Sequence, residues 1–504
     1  MDHDLIYNDW LSHHARYRGA RLALVDDAKA VSLSYGELDR RVNALAGALQ
    51  AHHRIQFGDR VALVSKSCSE AFELQFACAR IGAIFVPINW RLSADELQWI
   101  LADCDPGVTF HDADFSHLIP PDCPSVAIDA QASKESAYER LTQGERPAVP
   151  CRVEAETIWM IVYTSGTTGR PKGAMLSYRM IHANVMCWLS PARIGDRSVF
   201  LCSMPTFHTG GLHCYSSAVL YAGGTVVVQR DYEPARALAL MADDSLRVTH
   251  FFGTPTHYAR LTQSPAYAPG VLKYLEVAGL GGAPSPNALI EQLLDDGIPL
   301  QPAYGMSEIG PAIFVTELDA ARSKIGSSGH PTLHVEMKVV DANGASCAEG
   351  TAGELWVRGP LTMSGYWRNE DATRSAFEDG WFKTGDGVLV DEDGYVHVVD
   401  RLKAMFISGG ENVYPAEIER VLGDHPAVLL SAVIGVADAR WGEVGAAFVV
   451  LKNGATATAA ELLEFCGSRL ARFKVPKTLT LMPDLPRNAS GKILKRALAR
   501  PLSH

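Results

Sequence analysis

The chain has 504 residues, 47% hydrophobic and 20% charged, with a mean hydropathy near zero. That length suggests roughly three units at about 150 residues each, and the composition excludes extended disorder and fibrous repeats. With 46 basic against 57 acidic residues the net charge is −11. Such a surface repels polyanions, so no nucleic acid or anionic membrane is expected as partner, and any anionic ligand must be held by local donors.

The ten cysteines show no metal-ligand spacing, so buried reduced thiols are expected. The opening segment lacks the basic-then-apolar run of a secretory signal. No apolar stretch approaches the roughly 18 to 20 residues of a membrane span. A cytoplasmic protein without a membrane span is expected.

In chain order, Ser34 with Glu37 and Ser93 with Glu96 have capping-box spacing, each followed by apolar residues at helical intervals. Between them Val61 to Val64 and Ile84 to Pro87 read as short buried strands, an alternation that predicts a parallel α/β sheet. A Pro-rich passage from Pro106 to Pro150 breaks the pattern and is expected to connect two sub-blocks. From Ile158 onward short apolar strands end in Gly-, Ser- and Thr-rich loops: after Tyr163, after Val277 and before Gly305. In open α/β sheets ligands collect at the carboxyl ends of strands, which makes these loops the natural site. Glycines 344, 350, 353, 380 and 394 punctuate a small β subdomain over about 335–399. Beyond Asp400 come a helix from Pro415, strands near 428–436 and 446–451, and a helix capped by Thr458 with Glu461. The expected organisation is an α/β N-terminal domain of parallel-rich sub-blocks over 1–399, with the β subdomain at its end, and a small α+β C-terminal domain over 400–504.

The strongest local signal is YTSGTTGRPKG, Tyr163 to Gly173, directly after the apolar run Ile158 to Val162. Its glycines let backbone amides approach a ligand closely, the hydroxyls of Thr164, Ser165, Thr167 and Thr168 donate, and Lys172 adds charge. This set suits a polyphosphate. Pro171 breaks the GxxxxGK[ST] pattern aligned at Gly166, which disfavours a Walker-type ATPase or kinase.

With this loop the sequence resembles the adenylate-forming superfamily of acyl-CoA synthetases, carrier-protein adenylation domains and luciferases. The resemblance spans nearly the whole chain: PINWR at 87–91, PTFHTGGLH at 205–213, GLGGAPSP at 279–286, QPAYGMSE at 301–308, GWFKTGDG at 380–387, DRLKAMFISGGENVYPAEIE at 400–419 and PRNASGKILKRAL at 486–498. It implies ATP, Mg2+ and coenzyme A as cofactor and co-substrates, a large domain carrying the ATP and acid pocket, and a mobile lid domain. By resemblance Lys492 is the adenylating lysine, Glu308 the magnesium ligand and His208 the gate between the acid pocket and the thiol channel. The loop residues Thr164, Ser165, Gly166, Thr167, Thr168, Gly169 and Lys172 would take the phosphates. Gly282 and Ala283 would line the adenine edge, Tyr304 and Gly305 would face the base, and Ser307 would offer a hydroxyl to the α-phosphate. Asp386 would accept both ribose hydroxyls, with Arg401 as a second ribose contact. Asp400 matches the hinge, while Gly409, Gly410 and Glu411 would line the path of the thiol arm. Tyr178 and Ala404 stand where many relatives have His and an acidic residue.

The activity implied is an ATP-dependent acid:CoA ligase, forming acyl-AMP and pyrophosphate and then acyl-CoA and AMP. His208, Gly210, Phe251, Phe252, Gly279, Gly305 and Met306 form the implied acid pocket, with His213 as lining or packing. Their mix of aromatics and glycines suits an aryl, hydroxycinnamate-type or medium-chain acid. An adenylating enzyme that loads a carrier-protein thiol, and a non-catalytic acyl- or nucleotide-binding relative, are the alternatives. The first is weakened because no carrier domain follows residue 504, the second because Lys492, Glu308 and Asp386 are retained. A homodimer is compatible with the reading.

Overall fold

The computed structural model describes residues 9–129, 136–144, 147–164, 170–401, 404–408, 411–438, 440–487 and 492–499, and the side chains of Arg401 and Asn412 lie outside that description. Among the described residues four sheets form two α/β sub-blocks, a β subdomain and a C-terminal α+β unit.

The first sub-block is a six-stranded sheet in the order Ser125–Ile128, Val108–Asp112, Arg60–Val64, Ile84–Ile88, Ile158–Thr164 and Lys172–Ser177. Its central strands are buried on both faces, which is why they read as continuous apolar runs. Both expected capping boxes are present: Ser34 and Ser93 each accept from the backbone N–H of the glutamate three residues on, and each glutamate reaches back. The Pro-rich passage does not divide two sub-blocks. The strand Ile158–Thr164 returns to lie parallel to Ile84–Ile88, pairing Met160 with Phe85, so both sides of the passage belong to one sheet. Non-local pairing, invisible to a local breaker signal, decides this.

The second sub-block is a nine-stranded sheet ordered His330–Pro331, Phe314–Val315, Leu300–Tyr304, Val277–Gly281, His250–Gly253, Val199–Cys202, Thr225–Val228, Leu22–Asp26 and Val31–Ser34. The helix Ser69–Ile81 is buried at every position, and the core it enters holds residues of both sheets. A helix buried all round must satisfy its polar side chains internally. Glu73 accepts from Arg41 Nε at 2.8 Å and from the Tyr138 hydroxyl at 2.8 Å.

The β subdomain is an antiparallel sheet of Glu336–Val340, Gly353–Arg358 and Trp381–Val390, the last also pairing with Phe377–Glu378 and Val396–Arg401. The strand Val396–Arg401 runs through Asp400, so the expected boundary between 399 and 400 falls inside a strand. In the C-terminal unit Val428–Asp438 and Gly442–Leu451 form a long hairpin, and the helices Pro415–Gly423 and Ala459–Gly467 pack on it around Ile418, Leu422, Val433, Val449 and Leu462. None of the ten cysteines is in a disulfide; seven are buried, and Cys123, Cys151 and Cys347 are half-buried. Among the described residues no helix is long and apolar enough to cross a membrane.

Candidate active site

The parallel strands Val277–Gly281 and Leu300–Tyr304 open at their carboxyl ends into exposed Gly282 and Ala283 and half-buried Gly305 and Met306. Lys492 enters there from the C-terminal unit: its Cε stands 3.7 Å from where a Cβ would lie on Gly282. Facing it is His208, the N-cap of the short helix Thr209–Leu212. Its Nδ1 accepts from the Gly210 N–H at 3.0 Å, so the ring proton sits on Nε2. Desolvation, then the nearby Lys492 cation, push its pKa down to about 3. The ring is therefore a neutral donor at physiological pH. Ser307 is buried behind it, its hydroxyl 3.2 Å from that of Thr209.

Asp386, the expected ribose ligand, is buried in the β subdomain strand Trp381–Val390. Its Oδ2 accepts from the Tyr304 hydroxyl at 2.5 Å, and the Tyr304 ring stacks on Phe314 at 5.5 Å between centroids. The register places Arg401 directly opposite Asp386 on the neighbouring strand. Tyr304 is thus held at both ends. Tyr304→Phe keeps the ring and loses the bond to the carboxylate; it is expected to raise KM for ATP by about three- to tenfold, with kcat changed less. Steady-state kinetics with ATP varied checks this, and an unchanged KM would contradict it.

Glu308 follows in a short helical turn, Ser307–Ile309, and is buried. Its Oε1 accepts from the Thr164 hydroxyl at 3.0 Å and the Tyr366 hydroxyl at 3.4 Å. Lys172 Nζ lies 5.1 Å above the Tyr366 ring. Thr164 and Lys172 are paired across the antiparallel strands that flank the phosphate loop, which brings the loop's base to Glu308. Ser165, Gly166, Thr167, Thr168 and Gly169 lie outside the described residues. Tyr366 is a site residue that sequence reasoning missed; its only signal is the Gly365–Tyr366–Trp367 cluster between two strands. No cluster of three or more His, Cys, Asp or Glu able to hold a metal occurs among the described residues. A single buried carboxylate ringed by hydroxyls fits Mg2+, which keeps water and phosphate ligands and needs one or two carboxylates.

Asp400 is buried at the end of its strand, and its Oδ2 accepts from the Ala416 N–H at 2.8 Å in the first turn of the helix Pro415–Gly423. Glu411 is exposed; Gly409 and Gly410 lie outside the described residues.

The expected acid pocket needs one correction, at Phe251, and the structure decides the alternative left open for His213. Phe251 does not line it: strand alternation turns Phe251 to the opposite face, where it packs against Tyr258 in the core with Leu280. Phe252 faces the Gly279 side instead. His213 is packed rather than exposed to a ligand, its ring nitrogens against the Ser217 hydroxyl at 2.9 Å and the Met160 sulfur at 3.0 Å. Gly210 and Gly279 are buried, and Gly305 backs onto the main chain of Pro311.

Burial pushes His213 and His257 down to about 3 and His250 to about 4. In the unfolded chain such rings protonate near pH 6.5. Their contribution to stability is complete above that value and is lost as pH falls from 6.5 to about 4 for His250 and about 3 for His213 and His257, because in that window only the unfolded state takes up the protons. The thermal midpoint is expected to fall through that window. NMR titration should find these three rings neutral at pH 5; charged rings there would contradict the assignment.

Lys492 and His208 thus lie near Gly282 at the end of one strand, and the Tyr304–Asp386 pair at the end of the strand beside it. Residues 11–367 match the family described as AMP-binding enzyme, and residues 417–492 match the AMP-binding enzyme C-terminal domain. The chain belongs to the AMP-binding enzyme family. It is an AMP-forming acid:CoA ligase. The enzyme is 39% identical over 469 residues to a feruloyl-CoA synthase of Amycolatopsis sp, covering 93% of this chain and 94% of the relative. It is 36% identical to an indoleacetate–CoA ligase of Aromatoleum aromaticum, over 97% and 96% of the two chains. The solved structure of ATP-bound MatB from Rhodopseudomonas palustris superposes with a TM-score of 0.90 at 32% identity over 98% of each chain.

Proposed function

We propose that this ligase activates an aryl acid of the hydroxycinnamate type. In the first step a carboxylate oxygen attacks the α-phosphorus of ATP and the bond to pyrophosphate breaks. In the second, the CoA sulfur attacks the acyl carbon and AMP leaves with the bonding electrons. The observation that carries the reading is Lys492 at Gly282 beside His208, a cation and a neutral donor at the end of the strand that carries Gly279, where aromatic rings pack. Two anions must meet in the first step, and Lys492 neutralises the charge that builds up between them. The His208 Nε2–H donates to the acid carboxylate and orients it. Asp386 and Arg401 take the ribose, Tyr304 stacks on adenine, Gly282 and Ala283 border it, and Ser307 donates to the α-phosphate. Thr164, Lys172 and the loop between them hold the β- and γ-phosphates. Glu308 holds Mg2+, which when bound neutralises phosphate charge; Tyr366 orients that carboxylate.

We place the domain division at Asp400, whose bond to Ala416 joins the end of the β subdomain to the helix Pro415–Gly423. Rotation there withdraws Lys492 and brings the segment of Gly409, Gly410 and Glu411 to the cleft for the thiol step. The aryl assignment rests on the Phe252, Tyr215 and Trp188 rings packed edge to face at the slot, and on the aryl acids named for the relatives.

The test is pyrophosphate release with ATP, Mg2+ and a panel of acids, with and without CoA. Multiple turnover to aryl-CoA with hydroxycinnamates is expected. Turnover only with aliphatic acids would refute the substrate class, and single turnover despite CoA would point to a carrier-protein thiol.

A further inference from the structure

The sheet register builds a row that no sequence motif marks. Phe252, Gly279 and Gln301 lie side by side on three adjacent parallel strands, on one face. The central position is bare, and its space is taken: a Cβ on Gly279 would lie 2.3 Å from Phe252 Cδ2 and 2.6 Å from the Tyr215 hydroxyl oxygen. The Phe252 ring extends along the strand, with its Cζ 3.2 Å from the Cβ position of Gly281. From Gly279 to Gly282, where Lys492 stands, is three residues, about 10 Å of strand. That is the reach of a carboxylate, a two-carbon spacer and a ring with a para substituent.

The polar atoms of this floor have fixed roles. Gln301 Nε2 donates to the Pro191 carbonyl at 2.8 Å, which turns Oε1 to Tyr215, and the Tyr215 hydroxyl donates its proton to Oε1 at 3.2 Å. What the Tyr215 oxygen still offers is lone pairs. A ligand atom reaching it must therefore bring its own proton. Behind the row, Trp188 packs edge-on to both Tyr215 and Phe252. All three rings are buried, so a hydroxyl placed here leaves water behind and needs this acceptor.

We infer that Tyr215, oriented by Gln301, is the specificity-determining floor of the acid slot and accepts a hydrogen bond from a para-hydroxyl on the acid's ring, while Phe252 is a movable ring that fills the slot until the acid's ring displaces it. The inference rests on the aryl-acid reading above. An empty-slot state with the Phe252 ring in place reduces apparent affinity by the fraction of molecules that are open.

The experiment compares kcat/KM for 4-hydroxycinnamate, cinnamate, 4-methoxycinnamate and benzoate in the full-length enzyme and in Tyr215→Phe, Phe252→Ala and Phe252→Leu. Ratios between acids within one variant cancel any difference in folded fraction. The wild type is expected to prefer 4-hydroxycinnamate over cinnamate and 4-methoxycinnamate by about tenfold or more, and Tyr215→Phe to bring that ratio to about one. Both Phe252 variants are expected to raise the cinnamate-to-benzoate ratio, by about tenfold in Phe252→Ala. A hydroxyl preference that is absent from the wild type or survives Tyr215→Phe overturns the floor. A lowered cinnamate-to-benzoate ratio in the Phe252 variants shows a permanent wall and overturns the gate. If aryl-CoA products form while these ratios fail, the aryl-acid reading stands alone; if no aryl acid is turned over by any variant, both fall.

Discussion

Lys492→Ala is expected to lower acid-dependent pyrophosphate release by about 10²- to 10³-fold, the usual loss when a preorganised charge on a developing anion is removed. The reason is positional. The Lys492 stem lies against exposed Gly282, and after desolvation its charge is the second cause that lowers the His208 pKa, which sets the cation near the proposed carboxylate position. In the proposed mechanism its contribution belongs to the first step. Aryl-CoA formation from a supplied aryl-AMP and CoA is expected to fall far less than release does. The two assays on one preparation separate the roles: equal losses in both would place Lys492 in folding or in the thiol step.

Asp386→Ala is expected to raise KM for ATP by about 100-fold. In the proposed role this buried carboxylate accepts both ribose hydroxyls in two charge-assisted bonds, each worth about 1.5 to 3 kcal/mol. Removing it also releases the Tyr304 hydroxyl, which now ties the expected adenine platform to the ribose acceptor. The loss should therefore exceed that of Tyr304→Phe and contain it: the double variant is expected to resemble Asp386→Ala alone. Titrating ATP binding to the three variants by calorimetry checks both points, and additive losses would show that the two residues act separately.

Much of the site was legible because its residues sit in short contiguous motifs whose chemistry is local. The resemblance singles out Lys492, Glu308, His208, Tyr304 and Asp386 through the motifs that contain them, and the structure ties Tyr304 to Asp386 and sets Lys492 near His208. Capping boxes at Ser34, Ser93 and Thr458 were equally legible, since each depends on four consecutive residues. What failed was whatever depends on a partner far along the chain. The Pro-rich passage predicts a junction between two sub-blocks because breakers are local, whereas the return of Ile158–Thr164 to Ile84–Ile88 pairs Met160 with Phe85 across the whole of that passage. Phe251 and Phe252 are indistinguishable as neighbours of one type; only the register of their strand, with Phe252 beside Gly279, tells which one faces the slot. Tyr366 reaches Glu308 across 58 positions, and nothing in its own segment announces a ligand for that carboxylate.

By itself the sequence determined the family, the α/β class, the succession of helices and strands, and the residues able to handle phosphate and carboxylate charge, because residue type and near-neighbour spacing encode those properties. Only the tertiary structure decided which strands share a sheet, that Phe252 rather than Phe251 lies beside Gly279, that His208 is a neutral donor, and that the Tyr215 hydroxyl is bonded to Gln301. Those depend on register and burial: a one-residue change of face turns a side chain from core to cleft, and desolvation sets a protonation state that composition does not carry.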